Sequence, residues 1–419
     1  MMARQMKDSG VEWIGEIPED WTLPKTKNLF NIGRGRVISQ LDLKDSGYPV
    51  YSSQTKNNGC LGYIGTYDFD RSQLTWTTDG ANAGTVFLRE GKHNCTNVCG
   101  TLMPKNDKNN LRYMKYSLEY IAFFHKRADT NGYKIMNNEM AEIKITIPPK
   151  FIQDKIADFL DEKVGEIDSV IVKTKEAIED YKKYKQAIIT ETVTKGLNPD
   201  VEMKDSKNEY LGSIPAHWSE KRLRFLGVCQ NGISKSSEYF GEGYPFVSYG
   251  DVYKNPALPE KGSGLIRSNE DDRNTYSVRY GDVFFTRTSE TIEEVGFAST
   301  CLKTIDDATF AGFVIRFRPN NQEELIPEFS KYYFRSDTHR KFFVKEMNLV
   351  TRASLSQELL KKLPVLLPPI AEQKEIAAYL DGKCSEIDKL IAKKEELLTD
   401  LESYKKSLIY EYVTGKKEI

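Results

Sequence analysis

The chain has 419 residues, which is long enough for two or three domains with separate cores. Its 60 Lys and Arg residues nearly balance 61 Asp and Glu residues, so the net charge of −1 excludes a general electrostatic attraction to nucleic acid or acidic membranes. No run of eighteen apolar residues occurs, and the first residues lack the apolar core of a signal peptide. We therefore expect a cytoplasmic protein.

The six cysteines are scattered along a long chain, which favours reduced, buried thiols. Cys95 and Cys99 have a spacing that could suggest a metal. No second cysteine pair follows them, and the chain has only four histidines. We therefore predict no metal site.

The first motif in chain order is Gly15-x-Ile17-Pro18-x-x-Trp21, which recurs 197 positions later at Gly212-x-Ile214-Pro215-x-x-Trp218. The segment after Trp21 is rich in Gly, Asn, Tyr and Thr. Its short apolar runs at 84–88 and 143–147 predict strands separated by turns. An amphipathic helix is predicted over 111–126.

Pro148 and Pro149 then open a long predicted helix, because proline is tolerated only at a helix start. Gly196 and Pro199 mark its end. About 45 residues at 1.5 Å each would span roughly 65–70 Å. Apolar residues at alternating spacings of three and four predict a coiled-coil seam, with Ile156, Leu160, Ile167, Ile171, Ile178 and Ile188 as its main members.

The same helix is written a second time, with every match displaced by 220 positions. Its seam residues are Ile376, Leu380, Ile387, Ile391, Leu398, Leu401 and Leu408. Polar residues interrupt both stripes at matched depths, as at Lys185 and Lys405. They could fix the register of the helices, or their stems could simply lie along apolar surface. Since the displacement grows from 197 to 220, the second globular segment carries 23 extra residues; its predicted strands are 282–286 and 313–317, and its predicted helix lies near 329–347.

These repeats predict an α+β fold with pseudo-two-fold, tandem-repeat architecture. Two globular mixed α/β domains are separated by two long antiparallel coiled-coil helices. The predicted boundaries are 1–147 for the first globular domain, 148–197 for the first helix, 198–367 for the second domain and 368–419 for the second helix.

Motifs for catalysis are missing from the sequence. The two Pro-Pro pairs follow Ile147 and Leu367, so neither belongs to the Asn/Asp-Pro-Pro-Tyr/Phe motif of an adenine methyltransferase. No Gly-x-x-x-x-Gly-Lys-Ser/Thr phosphate loop occurs, and the four histidines show no pairing with a nucleophile. We therefore predict no catalytic residue.

The order of these motifs resembles the specificity subunit of type I restriction–modification systems. The resemblance rests on Gly-x-Ile-Pro-x-x-Trp, a variable segment, and Ile/Leu-Pro-Pro-x-x-x-Gln-x-x-Ile-Ala opening a long helix, all present twice. It implies two target-recognition domains, from about Trp21 to Ile147 and from about Trp218 to Leu367, that read the halves of a bipartite, asymmetric site in double-stranded DNA.

The resemblance also implies partners. The helices would be spacers that dock two adenine-N6 methyltransferase subunits, and motor and nuclease subunits would complete the complex. S-adenosylmethionine, ATP and Mg²⁺ would be used by those partners, so the chain itself would bind no cofactor and be non-catalytic.

Base edges are read by polar side chains on loops, with phosphate contacts that fix the register. The candidates in the first domain are Arg34, Arg36, Ser53, Gln54, Lys56, Asn57, Asn58, Thr77, Thr78, Asn82 and Lys134. Those in the second are Ser234, Lys235, Ser248, Tyr249, Arg287, Thr288, Ser289 and Arg352. Each loop, taken singly, could instead be an ordinary polar turn.

Two other interpretations remain open. The chain could be a non-catalytic coiled-coil adaptor whose globular ends bind proteins, which its neutral charge and 23 tyrosines allow. It could also be an enzyme with an unrecognised active site. Neither the half-site sequences nor the spacer length follows from the sequence.

Overall fold

A computed structural model describes residues 4–130, 132–206, 208–289, 294–346 and 353–419. The chain divides into two compact units. Unit 1 comprises Met1–Lys175 with Glu395–Ile419, and unit 2 comprises Glu176–Lys394. Each unit therefore contains part of both long helices.

Unit 1 mixes short strands with helices. Its strands are β1 (Met6–Asp8), β2 (Glu16–Pro18), β3 (Phe30–Arg34), β4 (Tyr48–Tyr51), β5 (Cys60–Ile64), β6 (Phe69–Asp70), β7 (Gln73–Thr77), β8 (Asp79–Gly80), β9 (Val86–Arg89), β10 (Lys92–Cys95), β11 (Cys99–Pro104), β12 (Arg127–Asp129) and β13 (Gly132–Lys134). The helices that begin in it are α1 (Thr26–Leu29), α2 (Leu111–His125), α3 (Asn137–Glu142) and the long α4 (Lys150–Lys195).

The body of unit 1 is built on two four-stranded sheets, with strand orders β3-β11-β7-β9 and β5-β4-β10-β6. A smaller sheet, β12-β13-β8, lies where the chain leaves β7. The core is continuous from the first sheet through α2 to α4, and Leu74, Leu118 and Leu160 within it are fully buried.

Unit 2 repeats this plan. Its strands are β14 (Met203–Asp205), β15 (Ser213–Pro215), β16 (Ser219–Arg222), β17 (Gly227–Asn231), β18 (Phe240–Val247), β19 (Gly264–Ile266), β20 (Val283–Thr286), β21 (Thr288–Ser289), β22 (Ala298–Thr300), β23 (Thr309–Phe310), β24 (Val314–Pro319), β25 (Ala353–Ser354) and β26 (Pro364–Leu367). Its helices are α5 (Tyr249–Lys254), α6 (Glu270–Thr275), α7 (Pro327–Tyr333), α8 (Asp337–Glu346), α9 (Gln357–Lys361) and the long α10 (Ile370–Val413).

Strand pairing gives the residue equivalences between the units. The sheet β17-β24-β20-β22 matches β3-β11-β7-β9, because Phe30 pairs with Pro104 as Gly227 pairs with Pro319. The parallel pair of Cys95 with Tyr51 corresponds in the same way to Phe310 with Val247. The predicted duplication is thus present in three dimensions, and the α+β class is confirmed.

Most predicted elements are confirmed, with two corrections. The helix predicted near 329–347 is two helices, α7 and α8. The chain turns at 334–336, where Ser336 Oγ lies 3.0 Å from His339 Nδ1 and Asp337 N donates to Thr190 Oγ1 at 3.0 Å. Met347, at the end of that predicted helix, lies outside the described residues.

The strand predicted at 143–147 is also wrong. Only isolated bridges form there, Thr22 with Ile147 and Lys25 with Lys144. The equivalent segments of unit 2 make a regular ladder between β16 and β26. Pro24 explains the difference, because it has no N–H to give to the ladder.

Both long helices begin directly after their Pro-Pro pairs, and they contain 46 and 44 residues. Gly196 ends α4 with φ +79°, a left-handed conformation that favours glycine. Of the predicted seam, the following residues are buried: Ile156, Leu160, Ile167, Ile171, Ile178, Ile376, Leu380, Ile387 and Leu408. The others, Ile188, Ile391, Leu398 and Leu401, are half-buried.

Within each unit the two long helices run antiparallel. In unit 1, Lys405 Nζ lies 2.7 Å from Asp168 Oδ1, and the rings of Phe159 and Tyr412 are 4.6 Å apart. In unit 2, Lys185 Nζ lies 2.6 Å from Asp388 Oδ2. The two ion pairs are the same contact displaced by 220 positions. The lysines that interrupt the apolar stripes therefore have matched partners in each unit.

The Gln and Asp that occur in both copies of the motif attach each body to its long helix. Gln153 Oε1 accepts from the Asn110 amide at 2.8 Å, and its Nε2 donates to Pro148 O at 2.8 Å. Asp161, eight residues on, accepts the Tyr116 hydroxyl at 2.8 Å. These contacts join the start of α2 to α4.

Unit 2 repeats this attachment between α7 and α10. Gln373 Oε1 accepts from Ile326 N at 3.0 Å, and Asp381 accepts from the Tyr332 hydroxyl at 2.6 Å. Burial, then the hydrogen bond to the carboxylate, raises the pKa of Tyr116 and of Tyr332, so both phenols remain donors at neutral pH.

No helix among the described residues is long and apolar enough to cross a membrane.

Gln153→Ala should loosen the start of α2, because the mutation leaves the Asn110 amide and Pro148 carbonyl without their buried partner. Losing such a hydrogen bond costs about 1–3 kcal/mol. Hydrogen exchange should show faster exchange at the start of α2 and unchanged exchange at α7. Gln373→Ala is the matched variant and should give the reverse pattern. Equal protection of α2 and α7 in both variants would contradict this role.

Candidate nucleic-acid interface

Four segments of unit 1 meet at one end of β7. We call them loop cluster 1: residues 52–58, 77–82, 96–98 and 132–134. Ser53 Oγ accepts from Thr78 N at 3.0 Å, and Thr78 Oγ1 donates to Val98 O at 2.7 Å. β8 pairs with β13, and Ile135 N donates to Thr78 O at 2.9 Å. Three loops proposed separately from the sequence are thus one surface.

Unit 2 has the equivalent surface, loop cluster 2, made of residues 248–255, 287–289, 311–313 and 353–354. Arg287 N donates to Phe313 O at 2.9 Å, and Leu355 N donates to Arg287 O at 2.7 Å. Tyr249 Oη donates to Thr288 O at 2.9 Å. Since Arg287 O accepts from Leu355 N as Thr78 O accepts from Ile135 N, the two residues occupy equivalent positions.

Loop cluster 1 exposes only part of the predicted set. Lys56, Asn57, Asn58 and Asn82 are exposed, and Asn82 Nδ2 also donates to Thr55 Oγ1 at 3.1 Å. Asn57 and Asn58 have φ of 50° and 52°, a left-handed conformation that asparagine adopts more readily than most residues. The tip of this loop therefore presents two amides and one ammonium group to solvent.

Other predicted residues of unit 1 are used inside the fold. Thr77 and Thr78 are buried, so we remove them from the candidate set. The Ser53 hydroxyl is bonded to Val98 O, and Gln54 Nε2 donates to Cys60 O at 2.7 Å. Lys134 forms an ion pair with Asp129.

The basic segment 33–36 lies outside loop cluster 1, and its first two residues end strand β3. Arg34 Nε donates to Asn137 Oδ1 at 3.1 Å, and Arg36 Nε donates to both oxygens of Asp68 at 3.1 and 2.9 Å. Position 35 requires glycine, because a Cβ there would lie 1.8 Å from Cys95 O. A Cβ added at Gly232 in unit 2 would likewise lie only 2.2 Å from Ala311 O.

In unit 2 the predicted residues divide in the same way. Ser248 caps α5 by accepting from Asp251 N at 3.1 Å, and Lys235 Nζ donates to Asp272 Oδ2 at 2.6 Å. Ser289 Oγ donates to Glu294 Oε2 at 3.0 Å. The half-buried Arg287 guanidinium makes no hydrogen bond or ion pair with the rest of the described chain.

Three predicted residues of unit 2 remain. Ser234 is exposed and lies beside Gly312, while Thr288 is half-buried and pairs with Ser354. Arg352 lies outside the described residues.

Sequence reasoning missed two exposed residues at these surfaces. Asn97 is exposed on the 96–98 turn, and Phe313 is exposed on the equivalent turn of unit 2. Asn97 lies between Cys95 and Cys99, and the spacing of these cysteines suggested a metal site and not an exposed turn. Both cysteines are buried. The pKa of the Cys95 thiol is raised first by its hydrogen bond with Cys99 and then by burial. Within the described ranges, no group of three His, Cys, Asp or Glu side chains could hold a metal.

Comparison with known proteins identifies the repeated unit. Residues 18–180 and 215–400 both match the family model described as "Type I restriction modification DNA specificity domain". A type I restriction enzyme MpnII specificity subunit of Mycoplasma pneumoniae is 41% identical over 140 residues, which are 32% of this chain and 42% of that protein. A putative type I specificity subunit N-terminus of the same organism is 44% identical over 139 residues, 33% of this chain and 74% of that protein.

Two further similarities extend over nearly the whole chain. A putative type I restriction enzyme MjaX specificity subunit of Methanocaldococcus jannaschii is 25% identical over 436 residues and aligns 96% of this chain with 95% of that protein. A solved structure from work on complex assembly and conformational transition of the type I R-M system shares the fold, with a TM-score of 0.69, 15% identity, and coverage of 96% of this chain and 99% of that one. The chain therefore belongs to the type I restriction–modification DNA specificity family, and it carries the family's domain twice.

Proposed function

We propose that this chain is the DNA sequence-recognition subunit of a type I restriction–modification complex. Each unit reads one half of a bipartite, asymmetric DNA site through its loop cluster. The observation that carries the proposal is that two equivalent backbone surfaces carry different side chains. The buried Thr78 in unit 1 corresponds to the half-buried Arg287 in unit 2, and Gly80 corresponds to Ser289.

The distribution of the 23 extra residues supports this division of roles. The displacement is 196 between Tyr51 and Val247, 209 between Leu74 and Val283, 215 between Pro104 and Pro319, and 220 between Lys134 and Ser354. Length thus changes in the connections between paired strands, while the central four-stranded sheet and the parallel strand pair keep their pairing. Variable loops on a constant scaffold are typical of binding surfaces that differ in specificity.

The chain acts in this proposal without catalysing a reaction and without binding a cofactor. Two adenine-N6 methyltransferase subunits dock on the long helices, and motor and nuclease subunits complete the assembly. Those partners use S-adenosylmethionine, ATP and Mg²⁺. The paired helices support the docking role because both carry exposed charged faces beside their buried stripes.

A gel-shift experiment tests this function directly. The chain assembled with its methyltransferase subunits should bind one split DNA sequence, and an excess of unrelated duplex should not displace it. The methyltransferase alone is the control and should show no such preference. If the assembled complex binds all duplexes equally, the proposal is wrong and the protein-binding adaptor becomes the better interpretation.

Arg287→Ala should relax recognition at one base pair of the unit 2 half-site, because a guanidinium can donate two hydrogen bonds to a guanine edge. We expect a loss of about 1–3 kcal/mol in binding free energy, measured by competition among duplexes that differ at single positions. Arg279→Ala is the control, since Arg279 is exposed in the same unit outside loop cluster 2. An unchanged base preference in Arg287→Ala would remove this residue from the interface.

A further inference from the structure

The segment 52–59 in loop cluster 1 has a backbone that needs support. Three consecutive residues, Asn57, Asn58 and Gly59, have positive φ angles of 50°, 52° and 80°. Non-glycine residues in this region are strained and persist only when surrounding contacts hold them. The side chains of residues 55–58 are exposed, so the support must come from beneath the loop.

Arg89 provides that support from the core of unit 1. Its Nη1 donates to Asn58 O at 2.7 Å, and its Nε donates to Thr75 Oγ1 at 3.0 Å. The guanidinium lies 3.6 Å from the ring centre of Tyr51 and 4.3 Å from that of Phe87, and the side chain is 1% exposed. Burial lowers the pKa of Arg89, opposed by the nearby Tyr51 hydroxyl.

This arginine is costly to bury. Arg89 makes no ion pair with any carboxylate of the described residues, and a buried charge without a counter-ion is unfavourable. An apolar residue could fill the same space. The contact that an apolar residue could not reproduce is the charge-assisted hydrogen bond to the loop.

In unit 2 a different arginine contacts the segment equivalent to the one that Arg89 supports. The segment that follows β18 is Ser248–Asn255, and Arg335 Nη2 donates to three of its carbonyls: Val252 O at 2.8 Å, Tyr253 O at 2.9 Å and Asn255 O at 3.1 Å. Its Nε donates to Ala298 O. Burial lowers the pKa of Arg335 to about 10, so the group is still charged at neutral pH.

The two arginines are not related by the duplication. Arg89 ends β9 and pairs with Gln73, whereas Arg335 lies between α7 and α8. In unit 2 the strand equivalent to β9 is β22, which is followed by Cys301 at the position of Arg89. In both units an arginine thus donates to backbone carbonyls of the segment after the parallel-paired strand, although that segment is a loop in unit 1 and the helix α5 with its C-cap in unit 2. The two arginines come from unrelated positions, which indicates a requirement of this segment and not an inherited feature of the scaffold.

We propose that Arg89 and Arg335 are positioning residues for DNA sequence recognition. Each fixes the backbone of the loop that follows the parallel-paired strand of its unit, and so sets the base preference of one half-site. This proposal rests on the proposed function, because it assumes that loop clusters 1 and 2 read DNA.

The test measures binding of the chain, assembled with its methyltransferase subunits, to duplex libraries randomised in one half-site at a time. Arg89→Met should reduce discrimination against single mismatches in the unit 1 half-site by about tenfold or more, which is the scale of one mismatched base pair. The unit 2 half-site should keep its preference and serves as the internal control. Arg335→Met should give the opposite pattern.

Arg316→Met is the matched structural control. Arg316 is also a buried arginine, 6% exposed. Its guanidinium donates to Ser277 O at 2.6 Å and to Gln230 Oε1, and both acceptors lie outside the loop clusters. This variant should lower the melting temperature of the protein and leave both half-site preferences unchanged. Relaxed preference in Arg316→Met would mean that any loss of stability blurs recognition, which would overturn the proposal.

Arg89→Lys covers the case in which the Met variant does not fold. An ammonium group keeps the charge but lacks the fork that holds Asn58 O and Thr75 Oγ1 together, so this variant should also relax the unit 1 half-site. Wild-type discrimination in folded Arg89→Lys or Arg89→Met would overturn the positioning role. If the wild-type complex itself prefers no split site, the proposed function fails, and that result is distinct from a failure of the positioning role.

Discussion

The attachment of each body to the start of a long helix is the contact on which the rest of the structure depends. A buried glutamine amide links the helix start to the first helix of the body, and an aspartate two turns later accepts a tyrosine hydroxyl. Because the glutamine and tyrosine side chains are buried, breaking these contacts would leave unsatisfied polar groups. This explains why Gln153 and Gln373 lie at matched places in the two repeated helices.

The sheets packed on these attachments form a frame that recurs in both units, and the proposed DNA recognition lies in the connections between the strands. The pairing of the sheet β3-β11-β7-β9 recurs in β17-β24-β20-β22, whereas the connections change in length and in exposed side chains. The loops are in turn held from beneath by arginines that differ between the units. Recognition would then depend on three layers: a scaffold that is repeated, surface segments that vary, and an arginine beneath each of them.

Much of this organisation could be predicted from the sequence, because repetition is visible without knowledge of the fold. The long helices followed from Pro148-Pro149 and from the apolar stripe, and the loops followed from polar runs after strand-like segments. The break between α7 and α8 could not be predicted, since it depends on Ser336 and Asp337 finding partners in three dimensions. Pro24 was visible in the sequence, but its interruption of a β-ladder could be predicted only by knowing which segment pairs with it.

The candidate residues were harder to predict because exposure is not written in the residue type. Thr77, Thr78 and Asn82 belong to one polar run, yet only Asn82 reaches solvent. Arg89 and Arg335 gave no signal, because neither repeats and neither lies in a polar loop. Their role emerges only when the carbonyls they contact are known.

The central claim is that two units of one chain each read half of a DNA site. Mapping methylated adenines in a host with and without this gene, each with the methyltransferase subunits present, tests it most directly. The account predicts methylation that depends on the gene and falls at one sequence with two defined parts and an unread gap of fixed length. Methylation that is independent of the gene, or that falls at a single uninterrupted sequence, would contradict it.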